Sequence, residues 1–288
     1  MTEDPFVAHR SLLFTVAYEL LGSAADAEDV LQESWLRWAG VDHAQVRDPR
    51  AYLIRVVTRQ ALNRLRALSR SREEYVGEWL PEPLLTSPDV AEDIELADSV
   101  SIAMLTVLET LGPVQRAVFV LREVFEMPYD EIAEAIGKSS AAVRQIGRRA
   151  REHVAARRPR MPVSRAEQQA VVERFLAALR TGQLQQLMDL MAPEVVLIAD
   201  GGGIAAAVMT PIHGAERVAR LLARADRPVA PFKTTTVWLN GAPAGRIELD
   251  GDLTAVSLVV ENGRVTRVYL VRNPRKLTRL DEPADLSR

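Results

Sequence analysis

MPYDEIAEAIGKSSAAVRQIGRRAREHVAARRPR, residues 127–160, spaces its apolar side chains as two helices joined by a tight turn, the second heavily basic. The first helix runs from about Pro128 to Ile136, with Ile132, Ala133 and Ile136 on one face. Gly137 ends it, because glycine has no Cβ to oppose a left-handed turn. Ser139 or Ser140 caps the second helix. There Val143, Ile146 and Ala150 point inward and Arg144, Gln145, Arg148, Arg149 and Arg151 stay outside. Ala133 is small where the two helices must cross. The pattern is a helix-turn-helix whose second helix carries side chains suited to guanine edges and phosphates.

The competing reading is a solvated amphipathic helix. Such helices interleave both charge signs as i,i+4 pairs. Here Lys138, Arg144, Arg148, Arg149, Arg151, Arg157, Arg158 and Arg160 stand with Glu152 as the only acid after Glu134. A one-sign cluster in a chain of net charge −3 points to a local anionic partner.

The chain has 288 residues, 48% hydrophobic and 26% charged, enough for two or three ordinary globular domains. It has no cysteine, which excludes disulfides, thiolate catalysis and cysteine-ligated metal. His9, His43, His153 and His213 are scattered without metal-ligand spacing, so no metal or cofactor is expected. The acidic Met-Thr-Glu-Asp start lacks a signal-peptide pattern, and no apolar run reaches the ~20 residues that span a bilayer. A soluble, cytoplasmic protein without membrane association is expected.

Working outward, Phe6 to Leu21 reads as a helix with Leu12, Leu13, Val16, Ala17 and Leu20 inward. Ser23 and Asp26 resemble a capping box opening a helix over Ala24 to Ala39, whose outer face is acidic: Asp26, Glu28, Asp29, Gln32 and Glu33. Asp48-Pro49 starts a third helix, with Tyr52, Leu53, Val56, Val57, Ala61 and Leu65 apolar and Arg50, Arg55, Arg59, Arg64, Arg66, Arg70 and Arg72 around them. From Glu73 to Glu95 prolines and acids deny a continuous helix. Tyr75, Trp79, Leu80, Leu84 and Leu85 are too apolar for a free tether, so part of this linker should be docked.

Ile94–Leu111 and Val114–Phe125 read as helices broken by Gly112-Pro113, followed by the helix-turn-helix. Pro159, Pro162 and Ser164 mark a boundary. Helices over Arg165–Arg180 and Leu184–Met191 follow, then strands over Val195–Ala199, Thr234–Asn240, Ala244–Leu249, Leu253–Glu261 and Arg264–Arg272, with a helix over Gly214–Arg224. Asn262-Gly263 and Asp250-Gly251 are hairpin turns. The layout is α+β with a curled antiparallel sheet.

Asp26-Ala-Glu-Asp-Val-Leu-Gln-Glu33, Ala51-Tyr-Leu-Ile-Arg-Val56, Leu111-Gly-Pro-Val-Gln-Arg116, Leu121-Arg-Glu-Val124 and Tyr129-Asp-Glu-Ile-Ala133 together resemble a bacterial extracytoplasmic-function RNA polymerase sigma factor. Trp79-Leu-Pro-Glu-Pro-Leu84, Asp200-Gly-Gly-Gly203 and Asn273-Pro-Arg-Lys-Leu277 are similar to its SigJ-like subgroup, which carries a C-terminal SnoaL-like domain of the nuclear-transport-factor-like cone fold. The resemblance implies a multidomain chain: sigma region 2 at 1–74, the linker at 75–95, sigma region 4 at 96–160 and the SnoaL-like regulatory domain at 161–288. It implies a subunit that binds RNA polymerase core and directs promoter-specific initiation, with no reaction of its own. The C-terminal domain would stand in for a separate anti-sigma factor.

It also implies roles for the charged faces. Asp26, Asp29, Gln32 and Glu33 would bind the β′ clamp helices. Arg55, Arg59, Asn63 and Arg66 would meet the −10 element and help melt it. Lys138, Ser139, Ser140, Arg144, Gln145, Arg148, Arg149 and Arg151 would enter the −35 major groove. Arg157 and Arg158 would track phosphate or the β flap. Pro128, Arg59 and Asn63 depart from the residues many relatives carry, and Gly147 interrupts the recognition helix where a close approach would need it.

In the third domain the regulatory contact would run from Trp79, Leu80, Pro81 and Leu84 to Asp200, Gly201, Gly202, Gly203, Asn273, Pro274, Lys276 and Leu277, with Trp79 filling a pocket. The cone can also take a small apolar ligand. Asp200 is the candidate base of a catalytic version, with His213, Trp238 and Glu248 around it; against that, Asp200 caps a turn, His213 is a loop residue and Trp238 is core. The alternative function is a one-component, ligand-sensing helix-turn-helix regulator, which has no use for the acidic Asp29–Glu33 face.

Overall fold

The computed structural model describes residues 4–158, 163–224 and 232–288. Pro159, Arg160 and Pro162, and the boundary set there, lie outside the described residues, as do the side chains of Arg70 and Arg72. The first helix is in fact two: α1 (Pro5–Ala8) and α2 (Arg10–Leu21), broken at His9, where φ −106° and ψ 10° leave the helical region. Every residue from Leu12 to Leu21 is buried, so beyond its first two residues α2 has no wet face. Thr15, Tyr18 and Glu19, which periodicity leaves outside, are covered by later parts of the chain. Ser23 caps α3 (Ala24–Ala39) and Asp48 caps α4 (Pro49–Glu73), each accepting a backbone N–H three residues on, at 3.2 and 3.0 Å.

Ile94–Leu111 is likewise split, into α5 (Ile94–Ser99) and α6 (Ile102–Leu108). Ser101 makes the break by capping α6 through the Met104 amide at 3.1 Å, a local alternative to continuing the helix. α7 (Pro113–Phe119) runs into a single wide turn over Val120–Val124. The helix-turn-helix follows as α8 (Tyr129–Ile136) and α9 (Ser140–Ala155); Gly137 sits at φ +69° and Ser139 is the cap. Gly147 is buried, and a Cβ there would lie 3.4 Å from both Val118 and the Tyr129 ring. Those are ordinary contact distances, so the packing is close there without requiring glycine. The N-terminal helices and the helix-turn-helix unit do not have separate cores: Leu13, Leu20, Trp38 and Ile54 belong to one apolar cluster with Val118, Leu121, Ile132 and Val143.

The third unit comprises α10 (Arg165–Thr181), α11 (Leu184–Leu190), β1 (Met191–Asp200), β2 (Ile212–His213), α12 (Ala215–Arg224), β3 (Lys233–Leu239), β4 (Ala242–Leu249), β5 (Asp252–Glu261) and β6 (Arg264–Val271). The sheet order is β2-β1-β6-β5-β4-β3. It is mixed, not wholly antiparallel as the turns suggest, because β1 pairs parallel with β6. A parallel neighbour needs a long crossover, and α12 with the hairpins after it provides one. Asn240-Gly241, Asp250-Gly251 and Asn262-Gly263 all turn with positive φ at both positions, the geometry that two-residue hairpins favour.

Both faces of this sheet are apolar. Val256, Leu258, Val260, Val265 and Val268 pack with α10, α11 and α12. Ala255, Val259, Tyr269 and Val271 pack instead with Leu80, Ile102, Ala103, Leu277 and Leu280, so the second face is closed by the linker, α6 and the C-terminal tail.

Candidate functional site

β1 delivers Asp200 to the linker with no exposed surface. Its Oδ1 accepts the Tyr75 hydroxyl at 2.6 Å, and Oδ2 accepts the Leu80 amide at 2.9 Å and the Lys276 ammonium at 2.7 Å. Lys276 also donates to the Leu80 carbonyl at 2.5 Å and sits 3.9 Å over the Trp79 ring. Asn273 donates to the Tyr75 hydroxyl at 2.8 Å. Burial, then Asp200, push the Tyr75 phenol upward, so it remains a donor. A Cβ on Gly202 (φ +60°) would come within 2.2 Å of Asn273 Nδ2, so only glycine lets the loop close over this group. One linker segment is thus held by a paired, fully hydrogen-bonded buried charge.

The structure brings Asp200, Gly201–Gly203, Asn273 and Lys276 together with Trp79 and Leu80, while Leu277 joins Leu80 in one apolar cluster. Pro81 and Leu84 are buried too, and Pro274 opens a short 3₁₀ turn. One detail is corrected. Trp79 is not the pocket anchor; it is partly exposed, lying between Lys276 and Gly22, whose added Cβ would meet Trp79 Cη2 at 2.8 Å. Leu80 and Leu84, each 1% exposed, are the most deeply buried linker residues.

Sequence reasoning missed a second clasp. The linker continues along the free edge of β3: Leu85 bridges Leu239 antiparallel, Thr86 donates to the Trp238 carbonyl at 2.9 Å and Asn240 to that of Leu84 at 2.9 Å. This is strand addition to a sheet edge. The Asn240 side chain accepts the Leu84 amide at 3.0 Å and donates to the Tyr18 hydroxyl at 2.7 Å and the Val100 carbonyl at 2.9 Å. Glu82 turns the other way and caps α3 through the Ala24 amide at 2.8 Å. The tail then crosses α2, with Leu286 in the core of the helical units and the Ser287 amide on Thr15 at 3.1 Å. The signal available was the pair of aromatic and acidic residues, Tyr18 and Glu19, on a helix face with no solvent-facing pattern.

Glu19 itself is fully buried between α2, α5 and α7. Ser99 donates to Oε1 at 2.7 Å, Arg116 donates to its backbone carbonyl at 3.0 Å, and Oε2 finds no partner among the described residues. Desolvation pushes its carboxyl up from 4.5 to about 8, against the Ser99 hydrogen bond and the Arg116 charge; Asp98 adds to the rise. Between those values the folded chain holds a proton that the unfolded chain has released. Stability therefore falls as pH rises through that window, by an amount on the order of a few kcal/mol. Glu19→Gln is expected to flatten urea midpoints measured from pH 5.5 to pH 8; an equally steep decline in the variant would remove Glu19 as the cause.

On the basic faces, Lys138, Ser139, Arg144, Gln145, Arg148, Arg149 and Arg151 are exposed and Ser140 half-buried. Arg148 lies 3.7 Å from Glu152 and Arg151 3.7 Å from Glu123; exposed pairs of this kind hold little energy. Arg158 pairs with Asp98. The helix α4 is different. Arg59 donates to the Glu134 and Ala135 carbonyls at 2.8 and 3.0 Å, and Arg55 lies 3.5 Å from Glu134. Both are engaged with the end of α8 of the helix-turn-helix, while Asn63 and Arg66 bond each other at 3.1 Å. The acidic face is partly neutralised: Arg64 pairs with Asp26 at 2.6 Å and Asp29 at 3.3 Å, Glu33 accepts Gln60 at 2.8 Å, and Gln32 is exposed.

A catalytic grouping around Asp200 is not formed. His213 is exposed, Glu248 pairs with Arg246 at 2.9 Å, and Trp238 lies at the linker-bearing edge. The carboxylate of Asp200 is consumed by the clamp.

A helical unit carrying an acidic and a basic helix, joined to a helix-turn-helix unit, is the two-region layout of an RNA polymerase sigma factor. Residues 6–71 match Sigma-70 region 2 and residues 101–154 match Sigma-70, region 4. The chain belongs to the ECF RNA polymerase sigma factors and directs transcription initiation; the family is not one of enzymes. It is 36% identical over 296 residues to the ECF RNA polymerase sigma factor SigJ of Mycobacterium tuberculosis, covering 96% of this chain and 94% of that protein. It is 30% identical over 282 residues to the probable ECF RNA polymerase sigma factor SigI of the same species, covering 94% and 92%. The crystal structure of M. tuberculosis SigJ aligns with TM-score 0.76 and 34% identity over 95% of this chain and 97% of that one. Among the described residues no helix is long and apolar enough to cross a membrane.

Proposed function

We propose that this sigma factor is held in a closed state by its own C-terminal domain, residues 161–288, which takes the place of a separate anti-sigma factor. The observation that carries this is the buried Asp200–Lys276 pair closing on Tyr75 and Leu80 of the linker. Region 2 (1–74) and region 4 (96–160) pack on one shared core, and a domain that holds the linker between them keeps them packed. In the closed state Arg55 and Arg59 serve α8 instead of the −10 strand. The Sigma-70 region 2 match over residues 6–71 favours this over a one-component regulator; on this reading Asp26, Asp29, Gln32 and Glu33 form the polymerase-binding face.

Run-off transcription with core polymerase, comparing the intact chain with one ending at residue 163, tests the reading. Higher output from the shorter chain supports closure; equal output at equal polymerase occupancy sinks it. On the open chain, α9 enters the −35 major groove. Arg144→Ala and Arg148→Ala are each expected to cost about 1–3 kcal/mol of promoter binding if they contact bases. If they contact phosphate, each instead lowers the salt slope by about 0.9. Binding unchanged in both affinity and salt slope would remove α9 from the interface.

A further inference from the structure

The third domain contains a cavity of about 450 Å³ walled mainly by apolar side chains, among them Leu179, Val208, Leu222, Phe232, Ile247 and Leu270. Its polar wall members are Arg272, Thr254 and Asp252. Arg272 donates to the Ala206 carbonyl at 2.5 Å and pairs with no carboxylate among the described residues. Asp252 is exposed, so water screens its charge. A cavity of this size and polarity suits one small molecule with an apolar body and few polar groups, and a guanidinium without an acid recognises a carboxylate at two points.

The cavity and the linker clamp are two faces of the same strands. Side chains alternate along a strand. Ala199 on β1 and Leu270 on β6, paired in register, both line the cavity. The next pair, Asp200 and Val271, points to the opposite face, where the linker sits. Arg272 faces the cavity again, while its own amide donates to the Asp200 carbonyl at 2.7 Å. Asn273 then returns to the clamp on Tyr75. The loop 201–208 is shared in the same way: Gly202 closes on Asn273, while Ala206, Ala207 and Val208 wall the cavity.

We infer that this cavity binds an apolar carboxylic acid through Arg272, and that binding loosens the Asp200 clamp on the linker. A ligand carboxylate draws the Arg272 guanidinium from the Ala206 carbonyl and frees the loop that Gly202 and Gly203 pack against Asn273 and Val76. The inference rests on the closed-state reading for its consequence, but its measurement does not need polymerase. By reciprocity, whatever factor the ligand takes from the clamp, an opened clamp returns to ligand affinity.

The test uses the full chain with decanoate as probe and decanol and decylamine as comparisons, followed by calorimetry and by hydrogen exchange of the peptide covering residues 75–85. Decanoate is expected to bind saturably, about ten-fold tighter than either comparison, and to raise linker exchange by about ten-fold. Arg272→Met is expected to bind all three alike, and Ala207→Trp, which fills the cavity, to bind none. No saturable binding, equal binding of the three probes to the unaltered chain, or decanoate binding without faster linker exchange each overturns the inference. Loss of closure in the run-off assay with decanoate binding intact would instead strike only at the function proposed above.

Discussion

Asp200→Ala is expected to open the linker and raise transcription from the intact chain towards that of the chain ending at residue 163. The substitution strands the Lys276 ammonium, which is mostly shielded from water by Trp79 and Tyr75, and leaves the Tyr75 hydroxyl and the Leu80 amide without their acceptor. Removing one partner of a buried pair costs about 3–5 kcal/mol. At 1.4 kcal/mol per tenfold, even the lower figure shifts the docking equilibrium by roughly a hundredfold. Protease cleavage within 75–85 reports that shift directly. The pair Asp200→Leu with Lys276→Met separates charge from shape: with no stranded ammonium it should recover part of the protection, because apolar replacements of buried ion pairs are often tolerated. Protection in Asp200→Ala equal to that of the unaltered chain would show that the linker is held by its leucines alone. Transcription unchanged despite an opened linker would show that docking and output are not coupled.

How far the sequence carried the reading depends on whether the cause was local. Gly137, Ser139, Asp48-Pro49 and Asn262-Gly263 act within a few residues of themselves, and each ends or turns an element where expected. The helix breaks at His9 and at Val100–Ser101 were not legible, because the apolar period runs through both and the packing around them is not local. Asp200, Asn273 and Lys276 could be singled out by resemblance, yet nothing in their spacing says that a carboxylate at the end of β1 meets an ammonium 76 residues later. The second face of the sheet is a partial exception. Strands such as Leu253–Glu261 carry apolar residues at successive positions, which marks a strand buried on both sides. That pattern calls for something to cover the far face, and the linker and tail do. Asn240 was the largest omission. Its place in the sequence reads as the last residue of the strand Thr234–Asn240, whereas the structure makes it the first residue of a hairpin turn, with a positive φ of 53°, and the turn points its side chain into the junction of all three units.

Asn240→Leu is expected to detach the third domain from the first two without unfolding either part. Asn240 is 1% exposed and its side chain makes three hydrogen bonds to three separate places: the linker at Leu84, α2 at Tyr18 and the end of α5 at Val100. A leucine satisfies none of them, and each buried group left unpaired costs about 1–3 kcal/mol. The left-handed backbone adds roughly 1–2 kcal/mol for a residue with a bulky side chain, giving on the order of 5 kcal/mol at one position. Asn240→Gly removes the side chain but relieves the backbone, so it should detach the domain less, by about the strain alone. Asn240→Asp keeps the acceptor for Leu84 and loses both donors, and it places a carboxylate against the Val100 carbonyl; it should fall nearer leucine than glycine. Small-angle scattering measures the predicted expansion, and far-ultraviolet circular dichroism, which should be unchanged, measures the retained helices and strands. An Asn240→Leu chain as compact as the parent would mean that the linker strand and the Asp200 clamp hold the domains without this residue. A collapse of secondary structure together with expansion would mean that the units do not stand without one another.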